Sequence, residues 1–185
     1  MSLYSTQTKY YKVRVLNANG KSVGSGKTVT FLLGNKKLGT AKTDKNGYAK
    51  IKFSNAPGSY KITTVYSQVS VTKTITVKAV LKNIIAKNAK NAKTFTVKIS
   101  TNKVDGKYLK GKTVKFKFNG NTYSVKIDSK GIATLSIKQS ALAKFKLKKI
   151  YAVSATFGKE YRGGVFALFT KVKPKLTYNF QFGGA

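Results

Sequence analysis

Histidine, cysteine and tryptophan are absent from the 185 residues, and only Asp44, Asp105, Asp128 and Glu160 carry negative charge. Without histidine there is no imidazole base for a catalytic triad and no imidazole metal ligand. Without cysteine neither a disulfide nor a thiolate metal site can staple the chain, although this leaves the compartment open. Glycoside hydrolysis needs two carboxylates on one site, and the four here are scattered along a repetitive chain. No enzymatic activity is expected, and no cofactor or metal. Proline occurs only at Pro57 and Pro174, both in predicted connections. No run of about 18 apolar residues exists to cross a membrane as a helix. The opening Met1-Ser2-Leu3-Tyr4-Ser5-Thr6-Gln7-Thr8 lacks the apolar core of a secretory signal, and it reads as a polar arm.

What the chain has instead is lysine. Lys plus Arg number 37, giving a formal charge of +33 and a pI near 10.4. Arg14 and Arg162 are the two arginines, leaving 35 lysines. Such an imbalance bears on solubility and partners rather than on fold. An AT-rich coding bias accounts for abundant Lys, Asn, Ile and Tyr but not for the scarcity of Asp and Glu. An acidic polymer as partner is one explanation, and screening in a salty habitat is the other.

The organising feature is a repeat. Gly26-Lys27-Thr28-Val29-Thr30-Phe31 returns as Gly111-Lys112-Thr113-Val114-Lys115-Phe116. Asp44-Lys45-Asn46-Gly47-Tyr48-Ala49 returns as Asp128-Ser129-Lys130-Gly131-Ile132-Ala133. The first match is 85 positions apart (Gly26 to Gly111) and the second 84 (Gly47 to Gly131), so one residue is lost between them. Solenoid periods run from about 20 to 50 residues, so the repeated unit is a whole small domain. The expected division is 1–79, 80–173 and a tail, 174–185. Each copy exceeds the roughly 40 residues below which staples are usually needed.

Within the first copy, Tyr11, Val13 and Val15 alternate with basic residues as a half-buried strand. Thr28–Leu33, Leu38–Thr43, Tyr48–Phe53 and Ser59–Tyr66 follow, separated by Asn17-Ala18-Asn19-Gly20, Gly34-Asn35 and Asn46-Gly47 turns. Val69, Val71, Thr72, Ile75 and Val77 close the module. About seven short strands spaced near ten residues predict an antiparallel sandwich. Ala79–Ala92 is the junction, readable as one helical turn or as an entry strand, with Ile84-Ile85 favouring the strand. The second copy predicts strands at Thr94–Ser100, Thr113–Phe118, Thr122–Ile127, Ile132–Ile137, Phe145–Phe157 and Gly164–Thr170. No Gly/Ser linker separates the copies. After Pro174, Leu176, Tyr178, Phe180 and Phe182 alternate strictly with polar residues. This is either the last strand of the second sandwich or an assembly strand that pairs with a neighbouring chain.

The Gly-Lys-Thr-Val-Thr-Phe and Thr-Asp-Lys-Asn-Gly-Tyr-Ala segments, with Asn55–Tyr66 and Thr74–Lys78, resemble Ig-like repeats of methanogen adhesin-like surface proteins. Those sit within a broader bacterial Ig-like group that includes invasin-type domains. The second copy keeps Gly-Lys-Thr-Val and Asp-Ser-Lys-Gly but has Gln139–Lys144 where the first has Pro-Gly-Ser-Tyr. The resemblance implies an all-β fold of two tandem antiparallel Ig-like β-sandwiches with an extra C-terminal strand. It also implies an extracellular or cell-surface setting. Function is less constrained, because such modules serve as stalks, spacers, adhesins and virion components alike. The chain is shorter than typical adhesins, shows neither an anchor nor a sorting signal, and is unusually basic. Those departures point toward a secreted, filament-forming or viral subunit.

Two motifs are false leads. Gly26-Lys27-Thr28 looks like the end of a P-loop, but the opening Gly would fall at Lys21 and no helix follows. Asp44-Lys45-Asn46-Gly47 lacks the alternating acidic ligands and closing Glu of a calcium loop. Asp44 and Asp128 are expected to bond the backbone of tight turns. The remaining candidates are lysines. Lys50, Lys52, Lys115, Lys117 and Lys126 are expected on solvent faces of strands, and Lys144, Lys146, Lys148 and Lys149 form the densest run. Lysine is a point charge without arginine's fork, so such faces would hold phosphate or carboxylate polymers without reading bases. The reading is an adhesin-like structural protein, a possible filament subunit, that coats extracellular DNA or an anionic surface polysaccharide. A spacer or adhesion module whose charge only sets solubility is the alternative, and a virion protein a third.

Overall fold

The computed structural model describes residues 1–88, 94–138 and 150–167. Every helix or strand among them is a strand. The chain falls into two compact units, Met1–Ala79 and Val80–Ala185.

The first unit holds β1 (Ser2–Tyr4), β2 (Lys9–Arg14), β3 (Thr28–Leu33), β4 (Lys36–Lys42), β5 (Tyr48–Phe53), β6 (Gly58–Tyr66) and β7 (Val69–Lys78). One sheet runs β1-β7-β6-β3-β4 and faces the pair β2-β5. The inward residues are the apolar half of each alternation. Val29 and Phe31 of β3, Ala49 and Phe53 of β5, Ile62 of β6 and Ile75 and Val77 of β7 are buried together. Burying a side chain such as Phe31 contributes roughly 1.5–3 kcal/mol. The expectation of a polar N-terminal arm is overturned here. Ser2–Tyr4 pairs in parallel with Thr76–Lys78, and Leu3 lies in the core. A single apolar residue in a polar stretch carries no periodicity, and its partner strand lies some 70 positions away.

The second unit holds β8 (Leu81–Asn88), β9 (Thr94–Thr101), β10 (Thr113–Phe118), β11 (Asn121–Lys126), β12 (Ile132–Lys138), β13 (Ile150–Phe157) and β14 (Glu160–Ala167). Its sheets run β11-β10-β13-β14 and β12-β9-β8. This is the Ig-like arrangement of two antiparallel sheets, with the fourth strand joined to the third rather than the fifth. The junction is the strand β8, not a helical turn. The last predicted strand starts at Glu160 instead of Gly164, because a tight Gly158-Lys159 turn makes β13 and β14 a hairpin paired from Phe157↔Glu160 onward. The alternating tail and the Lys144–Lys149 run lie outside the described residues.

The residue lost between the copies is a bulge. In β3–β4 the register slips between Phe31 and Leu32, so that Phe31 faces Gly39 and Leu32 faces Lys37, leaving Leu38 without a partner. The equivalent β10–β11 ladder runs without a slip from Thr113↔Lys126 to Phe118↔Asn121. One extra residue on one strand is the definition of a bulge.

The recurring Asp turns are one structure made twice. Asp44 Oδ1 accepts from the N–H groups of Asn46 and Tyr48 at 2.8 and 3.0 Å. Asp128 Oδ1 accepts from those of Lys130 and Ile132 at the same distances. Gly47 and Gly131 follow at φ +83° and +78°, where L side chains are strained. A Cβ on Gly47 would stand 2.5 Å from the Val15 carbonyl oxygen.

The copies part at their first strands. β1 joins β7, whereas β8 pairs antiparallel with β9. In the second unit β8 therefore packs over the start of β14, where Ile84 lies so near Gly164 that a Cβ there would collide with it. Buried Glu160 accepts hydrogen bonds from Val80 N–H at 2.7 Å and Leu81 N–H at 3.0 Å. Arg162 donates to the Leu81 carbonyl at 2.9 Å and lies 3.4 Å from the Glu160 carboxylate. Hairpin register aligns Glu160 and Arg162 with Val69 and Val71 of β7. Those valines are 66% and 52% exposed.

Candidate polyanion interface

Strands β2 and β5 form the smaller sheet of the first unit, and their alternation sends Tyr11, Val13, Ala49 and Ile51 toward the core. The other half faces water. Antiparallel register sets Tyr10 opposite Lys52, Lys12 opposite Lys50, and Arg14 opposite Tyr48. Six side chains thus make a two-by-three array of four cations and two phenols. Lys50 Nζ lies 4.4 Å from the centroid of the Tyr10 ring and Lys52 Nζ 5.9 Å. Lys12 Nζ lies 4.1 Å from the centroid of Tyr48, and the Arg14 guanidinium carbon 5.2 Å. Arg14 Nε also donates to the Asn46 carbonyl at 3.1 Å.

Like charges directly opposite on paired strands destabilise a sheet. Here the negative faces of Tyr10 and Tyr48 offset part of the Lys12–Lys50 repulsion, each cation–π contact contributing about 0.5–1 kcal/mol at an exposed site. The array holds its ammonium groups in place and leaves them open to solvent. Chemically it can bind anions.

The second unit presents charge from its other sheet. Val114, Phe116 and Phe118 of β10 are buried while Lys115 and Lys117 between them are exposed. Lys126 closes β11 opposite Thr113. The row continues across β13, with Lys115 opposite Thr156 and Lys117 opposite Ser154.

The duplication makes these faces informative. Aligned through their Asp turns and ladders, Tyr10, Lys12, Arg14, Tyr48, Lys50 and Lys52 become Thr96, Lys98, Ser100, Ile132, Thr134 and Ser136 in the second unit. Conversely, Lys115 and Lys117 stand where the first unit has Thr30 and Leu32. The scaffold does not demand cations at most of these places, although Lys12 keeps a lysine counterpart in Lys98 and Lys126 keeps one in Lys42. Lysines also stand on the remaining sheets, with Lys37 and Lys42 exposed on β4 and Lys98 exposed on β9.

No protein-family model matches the chain, and no curated protein is similar to it. Solved structures with a similar arrangement include invasin, a bacterial integrin-binding protein. It is 16% identical over 90% of this chain and 37% of that one, with a TM-score of 0.42. The I9–I11 tandem of titin is 14% identical over 91% of this chain and 62% of that one, with a TM-score of 0.46. A 1.5-MDa bacterial ice-binding adhesin is 17% identical over 90% and 60%, with a TM-score of 0.34. The chain spans less than two thirds of the length of each.

Of the residues expected from the sequence, Lys50, Lys52, Lys115, Lys117 and Lys126 are exposed on strands, divided between the two units. Lys144, Lys146, Lys148, Lys149, Leu176, Tyr178, Phe180 and Phe182 lie outside the described residues. Sequence reasoning missed Tyr10, Lys12, Arg14 and Tyr48. The alternation of β2 already put Tyr10, Lys12 and Arg14 on one face. Only the register against β5 brings Tyr48, Lys50 and Lys52 beside them. Asp44 and Asp128 belong to turns, and among the described residues no group of three acidic side chains could hold a metal ion.

Proposed function

We propose that the protein is a non-enzymatic, adhesin-like structural protein of the cell surface or its surroundings, holding acidic polymers by charge. The observation that carries this reading is the unlike decoration of like scaffolds: Arg14, Lys50 and Lys52 of the β2–β5 array, and Lys115 and Lys117 of β10, occupy positions that the other copy fills with neutral residues, whereas Lys12 and Lys126 have the cationic counterparts Lys98 and Lys42. Exposed lysines on both units, with +33 overall, support attraction to a repeating anion. The resemblance of the Gly-Lys-Thr-Val and Asp-Lys-Asn-Gly segments to Ig-like repeats of adhesin-like surface proteins supports the setting. Lysine point charges give attraction to phosphate or carboxylate without base reading.

Retention on immobilised duplex DNA tests it. Binding at 50 mM salt should vanish near 0.5 M, and if about eight lysines touch phosphates the affinity falls roughly 10³- to 10⁵-fold between 50 and 200 mM. Replacing Lys12 and Lys50 by Gln should lower the salt slope by about two. No retention at low salt on either duplex DNA or an acidic polysaccharide overturns the proposal. Self-association belongs to the same reading: the sequence alternation of Leu176, Tyr178, Phe180 and Phe182 would offer a second copy one apolar face if that segment pairs as a strand. Deleting 175–185 should then abolish polymers while both sandwiches stay folded; unchanged polymers refute it.

A further inference from the structure

The outer face of the four-stranded sheet in the second unit carries a shallow, open depression of about 790 Å³. Gly163 of β14 forms part of its floor, opposite Ser154 of β13. The Tyr161 ring leans along the strand across that glycine. Its Cε1, Cζ and Oη lie 3.3–3.7 Å from where a Gly163 Cβ would stand. Tyr161 nevertheless stays 62% exposed as a residue, at the edge of the depression that it lines. Next to it come two hydroxyls, Thr156 opposite Tyr161 and Ser154 opposite Gly163. Beyond them on β10 stand Lys115 opposite Thr156 and Lys117 opposite Ser154. Two strand spacings, about 9.6 Å, separate β14 from β10, a gap that a flexible lysine stem narrows.

We propose that this depression binds one or two residues of an acidic polysaccharide, the carboxylated sugar ring stacking on Tyr161. The order of chemistries across the sheet carries the inference: an aromatic platform, then a hydroxyl row, then ammonium groups. A uronate chain offers C–H faces, hydroxyls and carboxylates over the same span. The electron-rich ring face meets the slightly positive C–H groups, Ser154 and Thr156 meet hydroxyls, and Lys115 and Lys117 meet carboxylate. Single-stranded nucleic acid is held differently, with successive aromatic rings under successive bases, and here one exposed ring serves one site. The glycine is the specific element, because a side chain at 163 would fill the floor and lift the ring. This inference rests on the polyanion reading and names the polymer class for one of its faces.

The test is an NMR titration of the full chain at 150 mM salt with tetragalacturonate, maltotetraose as the neutral control, and oligo(dT). Tetragalacturonate should shift the amide signals of Ser154, Tyr161 and Gly163, and maltotetraose should bind more weakly. Tyr161→Ala should weaken tetragalacturonate by roughly tenfold, the scale of a lost stacking platform. Gly163→Val should do the same although every lysine remains, and valine suits an exposed strand. Lys12→Gln with Lys50→Gln should leave this site unchanged. Equal binding by the Tyr161 and Gly163 variants overturns the site, as does tighter oligo(dT) binding through the same amides. If tetragalacturonate shifts no signal while DNA is still retained at low salt, the site falls and the wider reading stands. If neither polymer is held, both fall.

Discussion

Glu160 is the sharpest place to perturb this fold. Its carboxylate is buried and takes two backbone N–H groups, Val80 at 2.7 Å and Leu81 at 3.0 Å, at the entry to β8. Hydrogen bonds to a charged group contribute about 1.5–3 kcal/mol each. In Glu160→Gln one oxygen becomes an NH2 group, so one of the two backbone donors faces another donor instead of an acceptor. The expected cost is about 2–3 kcal/mol. Glu160→Ala leaves both donors and Arg162 without the carboxylate and should cost about 3–5 kcal/mol. Little of this comes from the ion pair, because Arg162 is partly exposed and screened. Two units need not unfold together, so the informative assay is local. Amide exchange at Val80 and Leu81 should accelerate in Glu160→Gln, while amides of β3 and β6 in the first unit keep their parent rates. Urea unfolding supplies the magnitude. A loss below about 0.5 kcal/mol with both amides still protected would refute the reasoning, since surface changes are of that size.

Three further outcomes follow from the same geometry. Gly47→Ala should destabilise the first unit by about 2 kcal/mol or more in urea unfolding, from left-handed backbone strain and a Cβ driven against the Val15 oxygen; a neutral result would mean the turn is not as described. Phe116→Ala, at a fully buried site, should cost about 3–5 kcal/mol through the lost transfer energy and the cavity, read by the same method. The carboxyls of Asp44 and Asp128 are held below their ordinary value near 3.8, chiefly by the Tyr48 and Ile132 N–H groups respectively. Their stabilisation is present above the unfolded value and is lost as pH falls through the lowered folded one. Asp44→Asn with Asp128→Asn should therefore flatten the acid limb of the stability curve below about pH 4, and an unaltered limb would contradict the assigned role.

The turns and strand faces were legible because they depend on near neighbours. An Asp three residues before a Gly can satisfy the turn's N–H groups by itself, and a strand of period two sorts Lys115 and Lys117 from Phe116 whatever lies opposite. The one-residue mismatch between the repeats was visible as a number, but its meaning as a bulge at Leu38 needed the β3–β4 ladder. The cation–aromatic array was half legible: β2 displays Tyr10, Lys12 and Arg14 by its own alternation, yet the partners on β5 depend on register between segments nearly 40 residues apart.

The sequence by itself determined two sandwich-sized copies, their turn chemistry, their core alternation and an overwhelming positive charge. All of these follow from local stereochemistry and composition. Tertiary structure alone decided where the first strand of each copy goes. β1 docks on β7 through Leu3, while β8 crosses to β9 under the hold of Glu160 and Arg162. Strand choice is a competition between two nearby sheet edges, and it turns on contacts between residues about 80 positions apart that no window along the chain contains.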